Sequence, residues 1–411
     1  MGIRLKSFIR SIGGLVFSLL LLTAAFVAVA VLALAAGRAN GGSSARSSEP
    51  SVLFAGGVTK NSTLASAELF EPNHGGSGSF VATGRMKTAR VDHTATRLNS
   101  GQVLIAGGAS KMFPVGTIFR SAELYNPSKG RFSDTGGMLA ARTEHTATLL
   151  ADGRVLIVGG SDGTTSLSSA ELYDPASAKF SATGAMTVPR QGCTTTLLAN
   201  GEVLIAGGIT LESDGNDTVQ DTAEIYDLSA GSFSSTGTMT SARTGPTATR
   251  LPDGQVLITG GIDNDDTVLD TAELYDPATG LFSPAGQMTT SRYGHLAAAL
   301  GDGDVLVAGG IDNAGDSLAS AEVFVAKSGS FVAIAPMSRD RFLVGATVLS
   351  SSEVLIAGGY TQCPSSSLSF CARPVKSALI FDHQSNVFRS IKSMRSPRGS
   401  FASATLSAGA H

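Results

Sequence analysis

The sequence predicts an all-β fold: a β-propeller of seven four-stranded blades, closed by pairing of its N-terminal and C-terminal strands. Two observations predict it. A Gly-Gly pair after a Val/Leu/Ile run recurs at Gly56-Gly57, Gly107-Gly108, Gly159-Gly160, Gly207-Gly208, Gly260-Gly261, Gly309-Gly310 and Gly358-Gly359, 48 to 53 residues apart. A period near 50 marks a repeat architecture. The repeat also starts in mid-unit, at "SVLFAGG" from Ser51, and ends on a half-unit, "RGSFASATLS" from Arg398. An open stack gains nothing from half-units at its ends, whereas a ring joins them and removes two raw sheet edges.

Residues 1–37 form a separate module. Arg4, Lys6 and Arg10 precede an uncharged run from Ser11 to Gly37, long enough as a helix to span a bilayer. The run exceeds the usual core of a cleaved signal, yet Ala33–Ala35 also fits a small-residue cleavage site. Both a membrane anchor and a cleaved signal therefore remain open, and in either case the rest of the chain is expected outside the cytoplasm. Residues 38–50, "RANGGSSARSSEP", read as a flexible linker. The propeller is expected over residues 51–411.

Each repeat reads as four strands, a to d. Strand a is "HTATLL"-like. A turn such as Asp152-Gly153 or Asn200-Gly201 follows, and this dipeptide predicts a two-residue hairpin with φ > 0 at both positions. Strand b ("RVLIVGG") is apolar throughout, so both its faces are expected to be buried. Strand c ("SAELYDP") ends on a turn-forming Asp-Pro. Strand d ("KFSATGAM") runs into a Met-x-x-x-Arg segment that leads to the next strand a.

This "VLIAGG…SAELYDP…F…M…R" unit resembles the kelch repeat, and the seven-blade count is similar to the central domain of galactose oxidase. Phe132, Phe180, Phe233 and Phe282 stand where kelch units often carry Trp. The resemblance implies the fold but only a range of functions, from interaction scaffolds to enzymes.

With a formal net charge of −3 and no basic stripe, nucleic acid is not expected as a partner. One Arg per unit (Arg90, Arg142, Arg190, Arg243, Arg292, Arg341, Arg398) meets one Glu per unit (Glu68, Glu123, Glu171, Glu224, Glu273, Glu322) where the b–c and d–a loops gather. This recurrence predicts a structural clamp, with Leu379 leaving one Arg unpaired. Three residues after each Arg comes His93, His145, Cys193, Pro246, His295, Val344 or Phe401. That mixture fits packed histidines better than a metal ring. Glu144, one residue before that column, has no repeated counterpart.

The b–c loops differ between blades, so a protein or glycan ligand is expected on their face. Arg142, Arg292, Tyr293, His295 and Tyr360 are candidate contacts there. Asp214, Asp217, Asp263, Asp265, Asp266 and Asp312 form an acidic sector on three consecutive blades, where Ca²⁺ is a possible ligand. No other cofactor is expected. The galactose oxidase resemblance implies a copper site of two tyrosines, one linked to cysteine, and two histidines. Only Tyr293, Tyr360, His295 and Cys363 form a partial set, and Cys363 has a disulfide candidate in Cys371. A carbohydrate-acting enzyme on this scaffold, a galactose-oxidase-like oxidase or a sugar isomerase, is the alternative. No phosphate loop or nucleophile motif supports other chemistry.

Overall fold

The computed structural model describes residues 50–73, 77–112, 115–362 and 372–406. Seven antiparallel sheets of four strands, each ordered a-b-c-d, succeed one another around a ring. In blade 3 these strands are Thr146–Leu149, Val155–Val158, Ala170–Asp174 and Lys179–Ala182. The a strands neighbour one another around the axis, and the strand pair Ala402–Thr405 and Thr94–Arg97 completes the circle.

The expected closure is present. Blade 1 takes its strands b, c and d from Val52–Ala55, Ala67–Asn73 and Ser77–Ala82, and its strand a from Ala402–Thr405. The splice runs Val52↔Thr405 to Ala55↔Ala402. Apart from Glu353 at the start of the seventh, the b strands carry Val, Leu, Ile, Phe, Ala or Thr with both faces buried, as an apolar run without alternation requires. Between blades 1 and 2, Leu53 and Ala55 face Val103 and Ile105, with Met86 wedged among them. Met186 does the same between blades 3 and 4. A buried aliphatic side chain contributes about 1.5–3 kcal/mol, so the seams between blades hold most of the core.

The Gly-Gly pairs serve this packing. Gly107 and Gly108 have φ of 64° and 83°. A Cβ on Gly107 would meet Arg142 O of the next blade at 2.5 Å, and one on Gly108 would meet Val91 O at 2.4 Å. No side chain fits either place, so the pair marks packing rather than a phosphate site.

The a–b turns correct the two-residue expectation. Only the glycine has positive φ, for example Gly153 at 88°. Gly153 N donates to Leu150 O and Leu150 N to Arg154 O, which is a three-residue loop with a glycine bulge. Asp152 Oδ1 accepts from Arg154 N at 3.0 Å, so the acidic residue caps the turn and has no need of positive φ.

The repeated Tyr of strand c ties neighbouring blades. Tyr125, Tyr173, Tyr226 and Tyr275 bond Thr83, Thr135, Thr183 and Thr236 of the preceding blade at 2.7–2.9 Å. Each also packs on Phe132, Phe180, Phe233 or Phe282 at 4.8–4.9 Å. Blades 6 and 7 use Phe324 and Phe381 instead. Tyr226→Phe is accordingly expected to cost about 1 kcal/mol, measured as a lower urea midpoint with an unchanged slope.

Among the described residues the only helical element is one 3₁₀ turn, Pro127–Lys129, and no helix is long and apolar enough to cross a membrane. The expected hydrophobic helix of residues 1–37 lies outside the described residues, as do Cys363 and Cys371.

Candidate functional site

The loop-bearing end is built on the Arg–Glu clamps. Arg142 donates to Gly159 O at 2.7 Å, to Ser169 O at 3.0 Å and to Glu171 Oε1 at 2.8 Å. Glu171 also accepts the amides of Leu139 and Ala140 at 2.7 and 3.0 Å. The clamp thus pins the crossover from one blade onto strand c of the next. Six such pairs form, all fully buried. Blade 7, with Leu379 in the carboxylate's place, lacks the seventh. Arg341 keeps only Ser377, at 3.0 and 3.3 Å. Its guanidinium is pushed down to about 10, first by burial and then by Arg339.

Burial also settles the access of several expected ligand contacts. Arg142 and Arg292 are wholly enclosed in their clamps, so they are corrected from surface contacts to framework. His295 Nε2 sits 3.0 Å from the hydroxyls of Thr247 and Thr259, and His145 Nε2 sits 3.0 Å from Thr94. Burial, and then the adjacent Arg of each clamp, holds His93, His145 and His295 down at about 3. They are neutral packed rings at physiological pH. Tyr293 and Tyr360 lie in an apolar cluster with Ile209, Ile262, Ile311 and Phe342. Cys193 is buried, its thiol pushed up to about 11 by burial.

Most of the acidic sector shapes turns in the b–c loops. Asp263 Oδ1 accepts the amides of Asp265 and Thr267, both at 2.9 Å, and Asp312 Oδ1 those of Ala314 and Asp316, both at 2.9 Å. Asp214 accepts from Asn216 N at 3.0 Å, and Asp217 from Glu212 N at 3.1 Å. Asp265 is exposed, while Asp266 takes the left-handed φ of 62° that ends its turn. Neighbouring loops are stitched together by side chains that mimic a β ladder. Asn264 brackets Val219 at 2.7 and 3.0 Å, Asn313 accepts from Val268 N at 3.1 Å, and Gln362 accepts from Ser317 N at 3.2 Å. Ser166 accepts from Leu211 N at 2.9 Å. The rim of blades 3 to 7 is therefore preformed.

At the axis the column before the histidines proves to have a repeated role after all. Ser400, Asp92, Glu144, Gly192, Gly245, Gly294 and Leu343 all take left-handed backbone, with φ of 46–69°. Three glycines in seven units were the legible signal for it, since such φ disfavours other residues. The backbone of this column links across blades: Asp92 N donates to Ser400 O and Glu144 N to Asp92 O, both at 3.3 Å. Blades 1 to 4 thus bring Ser400, Asp92, Glu144 and Gln191 into one buried polar arc. Gln191 Nε2 donates to Glu144 Oε2 at 3.0 Å, and Tyr360 reaches Ser400 Oγ at 3.2 Å. Burial raises the Asp92 carboxyl to about 7, against a lowering bond from Ser400. Burial, and then the nearby Asp92, lifts Glu144 well above the usual carboxylate range.

The donor set does not fit a copper site of the galactose oxidase kind. His295 Nε2 is engaged by two threonines. Among the described residues, the one group of three His, Cys or acidic ligands within reach of a common ion is Asp302, Asp304 and His383. That group lies at the opposite end, where His383 Nε2 bonds Asp302 at 2.7 Å.

The Kelch motif family model matches residues 143–187 and 244–289. No curated protein matches the chain in sequence. Among solved structures, a fungal alcohol oxidase of the AA5 family in complex with copper is similar in fold. Its TM-score is 0.60 at 17% identity, covering 76% of this chain and 67% of that one. Two blades match the Kelch motif directly and the other five carry the same in-phase pattern, so the chain is a seven-bladed propeller that carries Kelch motifs at residues 143–187 and 244–289.

Proposed function

We propose that the protein is an exported kelch propeller, anchored or released through its first 37 residues, that binds a protein or glycan ligand on its loop-bearing end. One observation carries this reading: the two ends of the ring are built differently. The a–b turns of blades 2 to 6 at one end are glycine-bulge loops of one kind, with Gly101, Gly153, Gly201, Gly254 and Gly303 at positive φ. The b–c loops at the other end vary in length and composition, two of them adding the ribbons Ile209–Thr210 with Thr218–Val219 and Tyr360–Gln362 with Ala372–Pro374. They are locked to one another by Asn264, Asn313 and Gln362. A preformed rim loses little conformational entropy on binding. The acidic residues along it favour a basic or polar partner.

Peptide and glycan arrays probed with the full chain test this. Replacing residues 212–217 by a short Gly/Ser turn is expected to abolish a captured ligand's signal while leaving the thermal midpoint within a few degrees. If that replacement keeps full affinity while changes to Asp152 and Asp253 in the opposite turns remove it, the ligand face is the other one. The alternative, a carbohydrate-acting enzyme, draws its support from the buried Asp92–Glu144 pair, because carboxyls with raised proton affinity are the usual acid–base groups of sugar chemistry.

A further inference from the structure

The polar arc at the axis lacks what a buried acidic pair ordinarily has. Asp92 is 7% exposed and Glu144 5%, yet neither takes part in any of the ion pairs among the described residues. The arginines two residues before them in the chain, Arg90 and Arg142, already serve Glu123 and Glu171. Uncompensated buried carboxylates are costly, and the ring does not need them, because blades 4 to 6 place glycine at the same left-handed position.

A second observation points to what compensates them. Gln191 is fully buried; its amide nitrogen is held by Glu144 at 3.0 Å, and its Oε1 has no hydrogen-bond partner. Asp92 Oδ1 is likewise buried without a partner. Buried acceptors almost always find a donor or an ion. Here Asp92 Oδ1 and Gln191 Oε1 are open buried acceptors on either side of Glu144, whose Oε2 holds the Gln191 amide and whose charge acts on Asp92, and Ser400 bonds the Asp92 carboxyl.

The geometry points to a site for one hard divalent cation, of the Ca²⁺ class, held on the propeller axis by Asp92, Glu144 and Gln191. Its charge matches the two carboxylates, and an all-oxygen set selects hard ions over zinc or copper. The acidic rim loops, where Ca²⁺ was the expectation from composition, are poorer candidates, since most of their carboxylates are used as turn acceptors. The axial site stands independently of any ligand on the rim.

The full chain, stripped with chelator, is titrated calorimetrically with CaCl₂, MgCl₂ and MnCl₂, with thermal melts in parallel. We expect saturable binding of one ion per chain and a raised melting temperature. Glu144→Gln is expected to weaken binding roughly tenfold or more, as loss of a ligand or its support does. Gln191→Ala is the second variant, should the first fold poorly, and Asp263→Asn on the rim is expected to bind as the wild type does. Absence of saturable binding with all three ions overturns the site. So does binding that survives both axial substitutions or is lost with Asp263→Asn.

Discussion

Glu171→Leu is expected to destabilise the propeller by about 3–5 kcal/mol, the usual effect of removing one partner of a buried ion pair. Three groups lose an acceptor at once, the Arg142 guanidinium and the amides of Leu139 and Ala140, and Arg142 is left with only neutral acceptors on Gly159 and Ser169. The opposite change, Leu379→Glu, is expected to raise stability by about 1–3 kcal/mol, the worth of a hydrogen bond to a charged group. Leu379 pairs with Ile356 in the register that sets Glu171 opposite Ile157, so a glutamate there is aimed at Arg341. Arg341 is the natural control, because it already lives without a carboxylate. Urea unfolding of the two variants beside the wild type checks the pair of predictions. If Glu171→Leu left the midpoint unchanged, the clamps would be decoration on a ring held by its apolar seams alone.

That one blade survives with Leu also explains how the sequence could mislead. A charge repeated once per unit was correctly legible as a clamp, since recurrence at one phase selects a framework role. The same recurrence does not reveal depth, which is why Arg142 and Arg292 read from sequence as ligand contacts although both are fully buried. Their complete burial depends on the crossover folding back over strand c, a tertiary feature that no local pattern encodes. The Asp-Gly turns show a different limit. The dipeptide serves both a two-residue turn and a glycine bulge, and the choice rests on the Asp152 side chain accepting from Arg154 N. Closure was legible because it follows from phase alone. The axial arc was not, because its members change type from blade to blade and share only a backbone conformation. Gln191 gave no signal at all: its column holds Val91, Thr143, Thr244, Tyr293, Phe342 and Gly399.

The double substitution Asp92→Asn with Glu144→Gln is expected to make the chelated protein more stable at pH 8, not less. Both carboxyls hold protons in the folded chain more tightly than in the unfolded one, Asp92 up to about 7 from 3.8 and Glu144 well above 4.5. Between those limits the folded state carries protons that the unfolded state has released, so stability falls as pH rises from about 4 through 7. The contribution is fully present below pH 4 and lost above the folded values. For Asp92 alone the shift corresponds to about 4 kcal/mol at pH 8, at 1.36 kcal/mol per unit. The amide variants do not ionise and are expected to lack this slope. Melts of both proteins from pH 4 to 8 in chelator check it. A wild type as stable as the variant at pH 8 would mean that the pair finds compensation within the chain. If the variant is the more stable and added Ca²⁺ closes the gap in the wild type alone, the strained acidic positions are maintained for what they bind. The glycines of blades 4 to 6 show that the ring itself could be built without them.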